Sequence, residues 1–255
     1  MWMLKKTSVF LTLTLLLLCA YSLSYGTSIV VLADNDKVLI AADSKSLNYE
    51  EGRVGAHTSC KINVESNFVF ASAGNTSVGS KDRMYFDVNG LIRKISHESK
   101  SVRETVDSFT KNVKKPLAIS INTLRRKDPQ HLPPGPALST VFITFENGQP
   151  IVYLRNFHVR FEQEKVLVDV QSSNNTPSAN GHLKLFIGVN EEMTSYDARH
   201  PDWAVVDAVE GIKHLINLEI KAHPDKVGPP IDIYLLRVNG GQWLQENNTC
   251  IKSNQ

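Results

Sequence analysis

The chain has 255 residues, 42 % of them hydrophobic and 21 % charged. That is globular composition with enough apolar material for one core, and it excludes a chain disordered throughout. The formal net charge is only +2, and no long basic run or basic–aromatic interleaving occurs, which excludes nucleic acid as the expected partner.

In chain order, Lys5 and Lys6 precede an apolar stretch from Val9 to Leu18, and small and polar residues follow through Ser24-Tyr25-Gly26. A basic segment, an apolar segment and a small-x-small end are the parts of a secretory signal peptide, so residues 1–26 read as a leader and 27–255 as one domain. The expected location is periplasmic or extracellular after cleavage; the alternative is a membrane tether formed by an uncleaved leader. The apolar run is short and interrupted by Thr, which favours cleavage over a stable span. Losing the leader removes Cys19 and leaves Cys60 and Cys250, a candidate disulfide in an exported protein, with two buried thiols as the other reading.

Thr27 to Leu32 and Val38 to Ala42 are apolar runs around Asp34-Asn35-Asp36, which predicts a β-hairpin. Ser44 to Thr58 is polar and reads as an excursion. Lys61 to Val64 and Phe68 to Ala73 form a second strand pair, ended by Gly74-Asn75. The period then changes. Met84, Val88, Leu91, Ile92 and Ile95 recur at helical spacing, as do Val102, Val106, Phe109 and Val113, predicting two amphipathic helices between about Val78 and Leu124.

Lys127 to Pro136 is a proline-rich loop. Val141 to Phe145 and Pro150 to Leu154 flank Glu146-Asn147-Gly148-Gln149, a strong hairpin signal, and Phe157 to Val170 continues as strand. Gln171 to Gly181 reads as a loop, Leu183 to Gly188 as a strand, Asp202 to Ala222 as a third helix and Ile231 to Val238 as the last strand. Strand runs with little alternation belong to sheets buried on both faces. The element order predicts an α+β fold, a four-layer αββα sandwich with two sheets inside and helices outside.

Conventional motifs are absent: no Walker loop, GxGxxG, HExxH or CxxC occurs. The eight histidines have no metal-ligand spacing, so neither metal nor cofactor is expected. His57 and Cys60 lie three apart, a spacing that chance supplies readily.

The informative segment is Thr27-Ser28-Ile29-Val30-Val31, then Val38-Leu39-Ile40-Ala41-Ala42-Asp43-Ser44-Lys45, Lys61-Ile62, and Phe70-Ala71-Ser72-Ala73-Gly74. It resembles proteasome β-subunits and the related bacterial ring protease, members of the N-terminal-nucleophile (Ntn) hydrolases. In that family a Gly-Thr junction opens the mature chain. An Ala-Ala-Asp-Ser-Arg-like motif ends a strand, a Lys precedes the next strand and an Ala-Gly turn follows it. Asp43 lies sixteen residues after Thr27, the family spacing. The specific resemblance covers Gly26 to Gly74; beyond it only element order, Phe186-Ile187-Gly188 and Asp225 agree.

The resemblance implies a threonine-type hydrolase of peptide or small amide bonds, with a homo-oligomer left open. It makes Thr27 the nucleophile and, through its freed α-amine, the base. Asp43 and Lys61 become the activating charge pair, Gly74 the oxyanion N–H and Asp225 the support of the amine. The chemistry is coherent. A Thr hydroxyl needs a nearby base, an α-amine titrates at about 7.7–8.0, and a lysine charge favours the alkoxide. Family specificity pockets fall near Ser46, Ser59 and Ser72, small here, with Leu47 beside them.

Two departures stand out. Gly188-Val189-Asn190 and Lys226-Val227-Gly228-Pro229 lack the serines with which active members hold the Thr amine. They favour the alternative of a catalytically inactive proteasome-fold binding or assembly protein.

Overall fold

The computed structural model describes residues 26–50, 53–80, 83–127, 136–163, 165–178, 181–247 and 250. The expected leader, except Gly26, and most of the proline-rich loop lie outside them.

The order is β1 (Ser28–Ala33), β2 (Lys37–Asp43), β3 (Lys45–Glu50), β4 (Arg53–Thr58), β5 (Ile62–Val64), β6 (Val69–Gly74), β7 (Ser77–Ser80) and β8 (Arg83–Asp87). There follow α1 (Val88–Glu98), α2 (Val102–Asn112) and α3 (Lys114–Lys127), then β9 (Pro136–Glu146), β10 (Gln149–Glu162), β11 (Lys165–Asn175) and β12 (Leu183–Gly188). Last come α4 (Glu191–Arg199), α5 (Trp203–Val206), α6 (Ala208–Ala222), β13 (Ile231–Arg237) and β14 (Gly240–Gln245). Two five-stranded antiparallel sheets result, β12-β1-β2-β13-β14 and β11-β10-β9-β6-β5, with separate hairpins β3-β4 and β7-β8.

The side-chain period of two divides each central strand between two cores. Ile29, Val31, Ile40 and Ala42 meet Ile62, Val69, Ala71, Val141 and Ile143 in a cluster drawn from both sheets. Val30, Leu32, Leu39 and Ala41 face the other way, onto Met193, Ile212, Leu215 and Ile216 of α4 and α6. Phe70, Phe142 and Phe157 pack with Val88, Ile92, Val106, Phe109 and Leu117 of α1–α3. Every residue of β1 is therefore buried, which is why its sequence shows no alternation. Phe109 anchors the helical side, its ring set edge-on to Phe142 at 5.4 Å and to Phe157 at 5.8 Å.

Several expectations need correction. The polar segment Ser44–Thr58 is mostly a paired hairpin, β3-β4, rather than an irregular excursion. Met84 lies in β8, because Asp87 caps α1 through bonds from the Asn89 and Gly90 N–H groups and so starts the helix at Val88. Val113 joins α2 to α3, making three helices where two were expected. The Asp202–Ala222 helix is two helices, since Asp207 is extended (φ −149°) and its carboxylate caps α6; α4 precedes both. β11 runs to Asn175, in register with Val152, so the expected loop is half strand. A further strand, β14, begins at the left-handed Gly240 (φ 123°), with Trp243 set edge-on to Tyr234. Among the described residues no helix is long and apolar enough to cross a membrane.

Candidate active site

β1 lies between β12 and β2, and Thr27 immediately precedes it. The Thr27 carbonyl accepts the Val189 N–H at 2.8 Å, and the Ser28 hydroxyl donates to the Val189 carbonyl at 2.7 Å. Gly188 makes that approach feasible: it is left-handed (φ 82°), and a Cβ there would stand 1.9 Å from the Thr27 oxygen. The same Cβ would stand 3.1 Å from Ala73 Cβ, so the end of β6, with Gly74 (φ 97°), closes beside Thr27. Gly26 is equally confined, since a Cβ on it would meet the Lys226 carbonyl at 1.7 Å.

The Thr27 side chain is buried, and its Oγ1 accepts a hydrogen bond from Lys61 Nζ at 2.9 Å while donating to the Gly26 carbonyl at 2.6 Å. Thirty-four residues separate Lys61 from Thr27; β5 and β6, facing β1 across the sheets, bring it in. Asp43, fully buried at the end of β2, accepts the Ser28 N–H at 2.8 Å on Oδ1, and the Lys45 and Gly228 N–H groups at 3.0 Å and 3.2 Å on Oδ2. Its oxygens are thus engaged by backbone, and it acts on Lys61 through space. Burial pushes the Asp43 carboxyl up to about 6, against the opposing pull of the Lys61 ammonium and the three N–H groups. Burial likewise lowers the Lys61 ammonium, and the Asp43 charge opposes that shift.

Thr27, Asp43 and Lys61 therefore converge, and Gly74 follows Ala73, the β6 residue beside Gly188. Asp225 does not join them. It is exposed in the turn after α6 and makes no hydrogen bond to Thr27; the backbone of Lys226, not the Asp225 side chain, lies against Gly26. Ser72 is also displaced from the expected role. It is buried on the Phe70 face of β6, opposite Ala71 and Ala73, and its hydroxyl pairs with Thr140 at 3.0 Å. Ser46 and Leu47 lie half-buried on β3, where the Ser46 and Ser59 hydroxyls bond each other.

Cys60 and Cys250 are disulfide-bonded, with Cα atoms 4.8 Å apart, and the bridge stands next to Lys61. Sequence reasoning missed the network beside it. Buried Asp232 accepts from the Ser44 hydroxyl at 2.7 Å and from the Asn247 backbone N–H at 2.8 Å. Its one sequence signal is an acid between Ile231 and Ile233 on an otherwise apolar strand.

No protein-family model matches the chain, and no curated protein matches it. Among solved structures it is similar to Anbu from Hyphomicrobium sp. strain MC1, at 12 % identity and TM-score 0.48 over 89 % of this chain and 94 % of that one. A Gly-1 mutant of Anbu from the same organism gives 11 % and 0.49 over 90 % and 94 %. Eukaryotic HslV from Trypanosoma brucei gives 16 % and 0.43 over 82 % and 99 %. At these identities the chemistry of the site has to be argued from its own atoms.

Proposed function

We propose that the mature chain begins at Thr27, behind an export leader cleaved after Gly26, and is a threonine-type Ntn hydrolase of peptide or small amide bonds. In this reading the two sheets and two helical sets form a four-layer αββα sandwich of proteasome type. The carrying observation is the Lys61 Nζ to Thr27 Oγ1 hydrogen bond of 2.9 Å, with Asp43 fixing the neighbouring Ser28 N–H.

The freed Thr27 α-amine takes the hydroxyl proton, and Oγ1 attacks the substrate carbonyl carbon. The Lys61 charge favours the alkoxide, and the N–H at the Gly74 strand end faces the oxyanion. Collapse expels the substrate amine, which receives the proton, and leaves an ester on Oγ1. Water, deprotonated by the same amine, hydrolyses that ester and restores the hydroxyl.

A second reading, a binding or assembly protein without catalysis, is favoured by one observation. Val189 and Gly228 offer only backbone where serines would hold the amine, and Asp225 is exposed. N-terminal sequencing combined with labelling by an electrophile selective for N-terminal Thr separates the two. The hydrolase reading expects a Thr27 start and labelling lost in Thr27→Ala. A Thr27 start with no labelling and no peptide cleavage leaves the binding reading. A start at Met1 removes the α-amine base altogether.

A further inference from the structure

A second polar cluster lies where α4 begins and α6 ends. Glu219 of α6 is fully buried. Its Oε1 accepts the Met193 N–H at 2.8 Å, but among the described residues its Oε2 has no hydrogen-bond partner. An unsatisfied buried carboxylate oxygen is costly, the more so when charged. His223 Nε2, one turn on, stands 3.8 Å from that oxygen and 3.8 Å from Glu191 Oε2. Both distances are too long for hydrogen bonds.

We propose that Glu191, Glu219 and His223 bind one divalent transition-metal cation, Zn2+ in type. One ligand atom from each residue already lies within 4.8 Å of the other two. Around a tetrahedral ion at about 2.1 Å from each ligand, those atoms would stand about 3.4 Å apart. The two 3.8 Å separations need to close by only a few tenths of an ångström. Glu191 is exposed, its Oε2 accepting the Asn190 N–H at 3.2 Å, and His223 is half-buried, while buried Glu219 supplies the fixed ligand. One imidazole with two carboxylates suits zinc and its neighbours rather than Mg2+ or Ca2+, which take oxygen ligands. Water would fill the fourth position.

The placement gives the ion a role. Glu191 follows the Gly188–Asn190 segment that holds the Thr27 carbonyl and the Ser28 hydroxyl. His223 opens the turn whose Lys226 backbone lies against Gly26 and whose Gly228 N–H binds Asp43. The cation would join the two segments that enclose Thr27, the same two that lack the family serines. Sequence spacing concealed the site because Glu191 stands 28 residues from Glu219. Among the described residues the other close group, Cys60, Asp232 and Cys250, is no rival, since its two sulfurs are bonded to each other.

The test uses untagged mature protein, its disulfide confirmed by mass, stripped with EDTA, freed of chelator and titrated with ZnCl2 by calorimetry at pH 7.5. One ion per chain is expected, with Mg2+ at least tenfold weaker. His223→Ala and Glu191→Gln should weaken zinc binding by 10- to 100-fold and abolish the zinc-induced rise in Tm. Both positions are at helix ends and not fully buried, so they carry the test should Glu219→Gln fail to fold. Absence of stoichiometric zinc binding, or wild-type affinity in His223→Ala, overturns the proposal. So does an anomalous-scattering peak for zinc bonded to other side chains.

Discussion

Replacing Lys61 by Met keeps the aliphatic stem and removes the charge. In the structure that charge sits 2.9 Å from Thr27 Oγ1. With an effective dielectric constant of about 20, a unit charge at that distance favours the alkoxide by about 6 kcal/mol, or roughly four orders of magnitude in rate. The variant should still fold, because Asp43 keeps its bonds from the Ser28, Lys45 and Gly228 N–H groups. Without the ammonium its carboxyl titrates above its present value of about 6, so it becomes increasingly neutral near pH 7. The measurement is the second-order rate of labelling of mature protein by an electrophile selective for N-terminal Thr, from pH 6 to 9. A loss of 10³- to 10⁵-fold, with Tm nearly unchanged, is expected. A Lys61→Met rate within tenfold of wild type, while Thr27→Ala is unlabelled, would refute the view that Lys61 activates the hydroxyl.

Three further outcomes follow from the same geometry. The Asp43 carboxyl binds its proton more tightly folded than unfolded, so its contribution to stability is complete below pH 3.8 and is lost as pH climbs through about 6. Denaturant unfolding should therefore show wild type losing about 2–2.5 kcal/mol relative to Asp43→Asn between pH 4 and 7; a flat difference would sink the assignment. Gly188→Ala should cost at least about 2 kcal/mol in thermal unfolding, because its Cβ would strike the Thr27 carbonyl. Gly148→Ala shares a positive φ but meets open space, and should cost about 1 kcal/mol. Cys250→Ser should lower stability by about 2–4 kcal/mol under oxidising conditions and by nothing once wild type is reduced.

Strands buried on both faces announced themselves: β1 and β2 are apolar runs with polar residues only at their ends, and β6 is interrupted only by Ser72. The Asn147-Gly148 turn was equally legible, and both residues hold the positive φ that this hairpin requires. The β3-β4 hairpin was not, because residues such as Lys45, Ser46, His57 and Thr58 give no apolar alternation to read. Asp207 hid inside a helical period that it interrupts by capping, and β14, mostly exposed, has little apolar content to mark it. At the site, Thr27, Asp43 and Lys61 were readable because their spacing resembles a family pattern. Contacts made by backbone left no such trace: Val189 with Thr27, Gly228 with Asp43, Lys226 with Gly26. Side-chain type cannot report on an N–H or a carbonyl.

The pairing of β1 has a bearing on time. Ser28 is in register with Gly188, Asp43 with Ile231, and Cys60 is bridged to Cys250. The hydroxyl and its lysine are encoded early, yet the strands and turns that seat them come from the last third of the chain. Such distant closures form slowly, and only after the intervening segments exist. During synthesis the end that bears Thr27 and Lys61 must wait for the other end to arrive, so a truncated or half-made chain carries these residues without the arrangement that seats them.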